Sequence, residues 1–348
     1  LIANPFWANS VSAHGFAFRY DLPLPLNFYL IGAGAAVCFS FVVMAYVLQS
    51  RTMLDSYRIS LTRFIPHINI SQAALILIRL ISIFLLLLII ISGLFGNQSP
   101  LKNLAPVTVW VIWWVGFVYI TSFVANTWPI VNPWSSIFQA VEQLSGKSFG
   151  KTPYPDWLGV WPALVLFILF TWIELVWSGS EQPRLLAITI VSYSVLCWTG
   201  MAVYGHQTWL QRAEIFSIIF AIFGRFSPLE TNRSQGGPYL RPYGVGLLSR
   251  QPPSISLTAF VVTMLATVTF DGFMETPIWL EIKTGVLSTA SLVPSLLLVR
   301  GVFGNLDSVL ETIGLMSAPI AFLSVYLVTC WMISRIDSIR GNRNSLSI

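Results

Sequence analysis

Charge is what this chain lacks most. Only 9% of its 348 residues are Asp, Glu, Lys or Arg, whereas a soluble protein carries roughly 25%. That shortage excludes ordinary soluble domains and charge-rich disordered chains. Cysteine is scarce too. Cys38, Cys197 and Cys330 form no CxxC pair, so zinc clusters, iron–sulfur clusters, redox dithiols and disulfide scaffolds have nothing to build on. All three lie in apolar runs and read as small apolar residues. The three histidines, His14, His67 and His206, are scattered, which excludes the facing pairs that a bilayer haem needs. Neither GxxxxGK[ST] nor GxSxG occurs, so a nucleotide P-loop and a serine nucleophile elbow are both missing. Gly32-Ala33-Gly34-Ala35-Ala36 superficially resembles a dinucleotide fingerprint. It lies inside an apolar run with no strand before it, and reads as a small-residue face for close helix packing.

Apolar sequence is what remains. Hydrophobic residues make up 55% of the chain, and the mean hydropathy is +0.73. Runs near 27–49, 73–95, 105–125, 157–177, 185–204, 255–273 and 313–333 are each long enough to cross a bilayer. The predicted fold is all-α: one polytopic transmembrane helical bundle over 1–348 with about seven spans. Residues 213–226 are apolar but short. Residues 284–299 are rich in Ser and Thr and contain Pro294; an eighth span there is the alternative.

Basic residues set the expected orientation, because cytoplasmic loops carry excess Lys and Arg. Arg51, Arg58 and Arg63 follow the first run. Arg212, Arg225, Arg233, Arg241 and Arg250 follow the fifth, and Arg335, Arg340 and Arg343 end the chain. An odd number of spans places all three groups inside, with the N-terminus outside and the C-terminus inside. Residues 1–26 then form an outer segment, and 271–312 an outer-face stretch. Residues 126–156 form a cytoplasmic loop with an interfacial helix, and 205–254 a basic cytoplasmic loop. Val11-Ser12-Ala13 looks like a signal-peptidase site, but no basic region or apolar core precedes it. Pro228, Gly236-Gly237-Pro238, Pro242 and Pro252-Pro253 predict an irregular 228–253 with neither helix nor strand. Arg233, Arg241 and Arg250 there suit anionic lipid headgroups or an acidic partner. The net charge of +5 sits in short loops beside apolar runs and does not point to nucleic acid.

An ionisable residue in a span costs about 2.5–3.5 kcal/mol at mid-bilayer, so each is a functional candidate. Arg79 lies two turns into the second run. Glu174 lies one turn from the outer end of the fourth, where Arg184 is its expected partner, and His206 follows Gly205 at the end of the fifth. The sharper pair is Asp271 and Glu275 in TFDGFMETPIW, whose i,i+4 spacing puts like charges on one helix face. A cation or a shared proton would settle them. Arg19 is an expected partner on the same side. His14 and Asp21, with Asp271 and Glu275, would supply ligands for a divalent metal that activates water. A salt-bridge cluster is the competing reading.

Five segments in order carry a family resemblance: AHGFAFRYDLPLPLNFYLIGAGAA, WPIVNPWSSIFQAVE, FSIIFAIFGRFSP, LRPYGVGLL and TFDGFMETPIW. Together they resemble bacterial multi-pass membrane proteins often labelled fenitrothion hydrolase. The resemblance implies the bacterial inner membrane and hydrolysis of an organophosphate ester. It points to His14, Arg19, Asp21, Asp271 and Glu275 as the matching polar positions. The family pattern continues into further His-containing helices, so a partner chain would supply them, or the function differs. The first expectation is therefore a subunit of a larger inner-membrane assembly, contacting lipids and other membrane subunits. A metal-assisted phosphoester hydrolase is the alternative, and a transporter the second alternative.

Overall fold

The computed structural model describes residues 26–48, 59–61, 71–150, 152–230, 238–247, 253–290 and 306–345. These residues form an all-α helical bundle with three two-residue strands. The six later apolar runs become helices long and apolar enough to cross a membrane: Gln72–Phe95, Leu104–Phe123, Asp156–Leu175, Pro183–Tyr204, Ile255–Met274 and Leu306–Arg335. The first run forms helix α1, Leu26–Leu48. Of the seven expected spans, six thus correspond to helices long and apolar enough to cross, and the first corresponds to α1. The short run at 213–226 yields a nine-residue helix, Ile215–Phe223, about 14 Å long and too short to cross.

The chain divides into two compact units. The first comprises residues 1–147, 181–198 and 219–250; the second comprises 148–180, 199–218 and 251–348.

In the first unit, α2 (Gln72–Phe95) begins at Ser71, whose side chain accepts the Ala74 N–H. It ends at Phe95, and its last turn is closed by Asn103, which is buried. The Asn103 amide donates to the Ser92 and Asn97 carbonyls at 2.8 and 2.6 Å, and its Oδ1 accepts the Ala105 N–H at 2.8 Å. One side chain therefore closes α2 and opens α3 (Leu104–Phe123), satisfying backbone groups that helix ends leave orphaned. The middle of α3, Val107–Gly116, is π-helical.

Two short helices follow, α4 (Trp128–Val131) and α5 (Pro133–Ser145). Pro133 forbids continuation through Asn132, and Asn132 restarts the chain by accepting the Ser135 N–H at 3.0 Å. Trp128 and Trp134 then pack with Trp113, Phe117 and Phe220, ring centroids lying 4.7–6.5 Å apart. Helix α7 (Pro183–Tyr204) approaches α2 closely at Gly93, where a Cβ would lie 2.6 Å from the Pro183 carbonyl oxygen.

In the second unit, α6 (Trp161–Leu175) and α12 (Leu306–Ser345) pack against α10 (Ile255–Met274). Phe167 meets Phe260 at 5.3 Å. Leu175, Val176, Phe270, Trp279 and Leu315 form the core at one end. Gly205, with φ of +90°, breaks the helix between α7 and α8 (His206–Arg212). The carbonyls of Ala202 and Val203 in the last turn of α7 accept N–H groups from Gly150 and Thr152. Helix α9 is Ile215–Phe223, and α11 is Pro277–Ala290.

The expectation of neither helix nor strand over 228–253 is corrected in part. Strands β2 (Leu229–Glu230) and β3 (Tyr239–Leu240) pair antiparallel, and β3 also pairs with β1 (Ile59–Ser60). Prolines flank these strands without entering them, so the ladder keeps its donors. Likewise 205–254 is not simply a loop, since it contains α8 and α9.

Candidate functional site

The described polar residues gather in three places. The first is where α6, α10, α11 and α12 meet in the second unit. Lys283 of α11 places Nζ 2.8 Å from Glu311 Oε1 and 3.6 Å from Asp307 Oδ1, both on α12. Burial alone would lower the Lys283 pKa. The hydrogen bond and charge of Glu311, with Asp307 behind, outweigh it and hold the ammonium above its ordinary value. Next to Glu311 in the chain, Thr312 Oγ1 accepts the Trp172 indole N–H at 2.9 Å.

Asp271 and Glu275 belong to this same end but not to one environment. Helix α10 stops at Met274, which leaves Glu275 as its exposed cap while Asp271 is half-buried and engaged by neighbours. Glu174, near the end of α6, is also half-buried and engaged. Among the described residues, no three His, Cys, Asp or Glu side chains converge to hold a metal. His14, Arg19 and Asp21, the other expected members of the cluster, lie outside the described residues.

The second place is the basic stretch of the first unit, and it overturns a surface role for Arg241. This residue is 8% exposed. Its guanidinium donates to the carbonyls of Ser227 (3.0 Å), Gly224 (2.9 Å) and Arg225 (3.3 Å), and lies 3.2 Å from Glu230 Oε2. Those carbonyls form the end of α9 and the turn after it, where a cation favours the helix dipole. Arg241 is thus a buried helix cap and not available to lipid headgroups or an acidic partner. Arg233 and Arg250 lie outside the described residues.

The third place is around Arg212, at the end of α8. It pairs with Asp156 at 2.8 Å, and its guanidinium carbon stands 5.4 Å from the centroid of the Tyr154 ring. Burial raises the Tyr154 pKa, against the pull of Arg212. His206, at the start of α8, is half-buried and engaged. Arg79 is half-buried in α2, and no hydrogen-bond or ion-pair partner of its side chain occurs among the described residues.

Glu214 escaped the sequence reading. It is fully buried, and its two carboxylate oxygens accept the N–H groups of Phe216 (3.1 Å) and Ser217 (2.7 Å) at the start of α9. An acidic residue directly before an apolar run is an N-terminal signal, and Glu214-Ile215-Phe216 carries it. Helix α9 therefore has a buried carboxylate at its start and a buried guanidinium at its end, the signs its dipole favours.

Comparison with known proteins finds no matching family model, no matching curated protein and no matching solved structure.

Proposed function

We propose that this chain is an integral membrane protein that works as a subunit of a larger membrane assembly. One observation carries the reading. Every described side chain of α1 from Ile31 to Val42 is exposed, so among the described residues α1 has no packing partner along that stretch. Gly32, Ala36 and Ser40 recur at intervals of four on it, and no atom comes within 4 Å of a Cβ built at Gly32 or Gly34. Small residues spaced in this way let two transmembrane helices approach closely. A helix that needed only lipid would gain nothing from them. Helix α2 adds to this, with 6% of its most apolar stretch buried and the half-buried Arg79 inside it. The basic segments support an N-terminus outside and a C-terminus inside. The hydrolase implied by the resemblance would need His14 and Asp21 beside Asp271.

The test compares wild type with Gly32→Leu/Ala36→Leu after mild detergent extraction. Stoichiometric partner chains with wild type, lost in the variant while it still inserts and accumulates, support the reading. A lone wild-type chain contradicts it.

A further inference from the structure

We infer that α11 lies flat in the membrane interface, with its polar back in water and its two flanks among acyl chains. This rests on the membrane reading of the chain. The helix has 14 residues, about 21 Å, and cannot span the roughly 30 Å hydrocarbon core. Only Glu275 and Thr276 separate it from the end of α10, so it starts at the depth where that span leaves the bilayer. Thr276 makes the corner. Its hydroxyl donates to the Phe273 carbonyl at 2.7 Å and accepts the Trp279 N–H at 3.3 Å.

One stripe of α11 holds it to the bundle. Trp279 is buried against Phe270 and Phe273, with centroids 5.4 and 5.7 Å away. A Cβ built at Gly314 of α12 would lie 3.0 Å from the same indole. Lys283, one turn on, is neutralised by Glu311 and Asp307. At 3.6 residues per turn, Leu280 lies on one side of this stripe, and Ile278 and Ile282 on the other. They are 58%, 60% and 45% exposed. Glu281, Thr284 and Ser288 fall opposite the stripe and are exposed. A helix with apolar flanks, a polar back and its one cation internally paired fits the headgroup–acyl boundary. Deep immersion would strand Glu281 in hydrocarbon, and full exposure would leave three large aliphatic side chains in water.

The test is collision accessibility of spin labels in bilayer nanodiscs. Labels go on Leu280→Cys, Glu281→Cys, Ile282→Cys and Ser288→Cys, with Leu85→Cys in α2 as the hydrocarbon reference. The background carries Cys38→Ala and Cys330→Ala and keeps the buried Cys197. Positions 280 and 282 should shift toward lipid-dissolved oxygen, and positions 281 and 288 toward a water-soluble nickel chelate. If 280 and 282 favour the chelate while 85 favours oxygen, the interfacial placement is wrong and the membrane reading stands. If 85 favours the chelate, the membrane reading itself fails. Shielding of all four α11 positions from both agents means a protein chain covers the helix, which also overturns the placement. Hydroxyl-radical footprinting of the unsubstituted chain in nanodiscs gives the same answer without substitutions. Protection of Leu280 and Ile282 is expected, and their oxidation overturns the inference.

Discussion

Arg241 Nη1 lies 3.2 Å from Glu230 Oε2, while the rest of the same guanidinium closes the end of α9 through three carbonyls. Removing it strands both a carboxylate and helix-end acceptors away from water. Breaking a buried pair typically costs about 3–5 kcal/mol. Arg241→Ala should therefore lower the unfolding temperature sharply. Arg241→Lys, which keeps the charge but not the planar fork, should recover only part of the loss. Thermal unfolding of the purified chain reads both, and an Arg241→Ala variant as stable as wild type would remove the capping account.

Glu214→Ala tests the other end of α9. It deletes an acceptor for two helix N–H groups, and losing a cap costs about 0.5–2 kcal/mol. Glu214→Gln retains one acceptor oxygen and should fall between Glu214→Ala and wild type. Equal unfolding temperatures for all three would show that those N–H groups find other partners.

Two glycines separate folding from assembly. At Gly93 a Cβ would lie 2.7 Å from the Ala187 Cβ and 2.6 Å from the Pro183 oxygen. Gly93→Leu should destabilise the chain itself, by about 1–3 kcal/mol or more for overpacking. Gly32 has open space around it, so Gly32→Leu should leave unfolding unchanged and reduce only partner retention. Equal loss of stability from both substitutions would contradict the free face of α1.

Lys283 gives a pH dependence with a definite sign. Its pKa is raised in the folded chain because Glu311 and Asp307 outweigh its burial. A raised pKa contributes stability that is fully present below the unfolded value, about 10.4. That contribution is lost as pH climbs through the higher folded value. Wild type should lose its advantage over Lys283→Met across that alkaline window. A stability difference that stays constant to the alkaline end would mean that the ion pair contributes nothing.

The spans were legible because hydropathy over about 20 residues is a strong signal, and helices Gln72–Phe95 and Ile255–Met274 match their apolar runs within a residue. The last span is the instructive exception. The sequence reading starts it at 313 and leaves Asp307 and Glu311 in the outer-face stretch. The helix begins at Leu306, since Lys283, far off in the chain, neutralises both carboxylates. Arg241 misleads for the same reason. A run of arginines among prolines reads as solvated, and nothing in its spacing reveals that one of them folds under α9. Glu214 was readable from its place before an apolar run. The expected metal site rested only on residue types at expected depths, and two of its four members, His14 and Asp21, lie outside the described residues.

The most direct test of the assembly reading is site-specific photo-crosslinking in native membranes, with a benzophenone side chain at position 36 of α1 and, as the control, at position 41 on the far side of the helix. The account predicts a discrete protein adduct from position 36 that is weak or missing from position 41. It also predicts that Gly32→Leu abolishes the adduct. Lipid adducts alone from both positions would contradict the account and leave α1 a helix that meets only the bilayer.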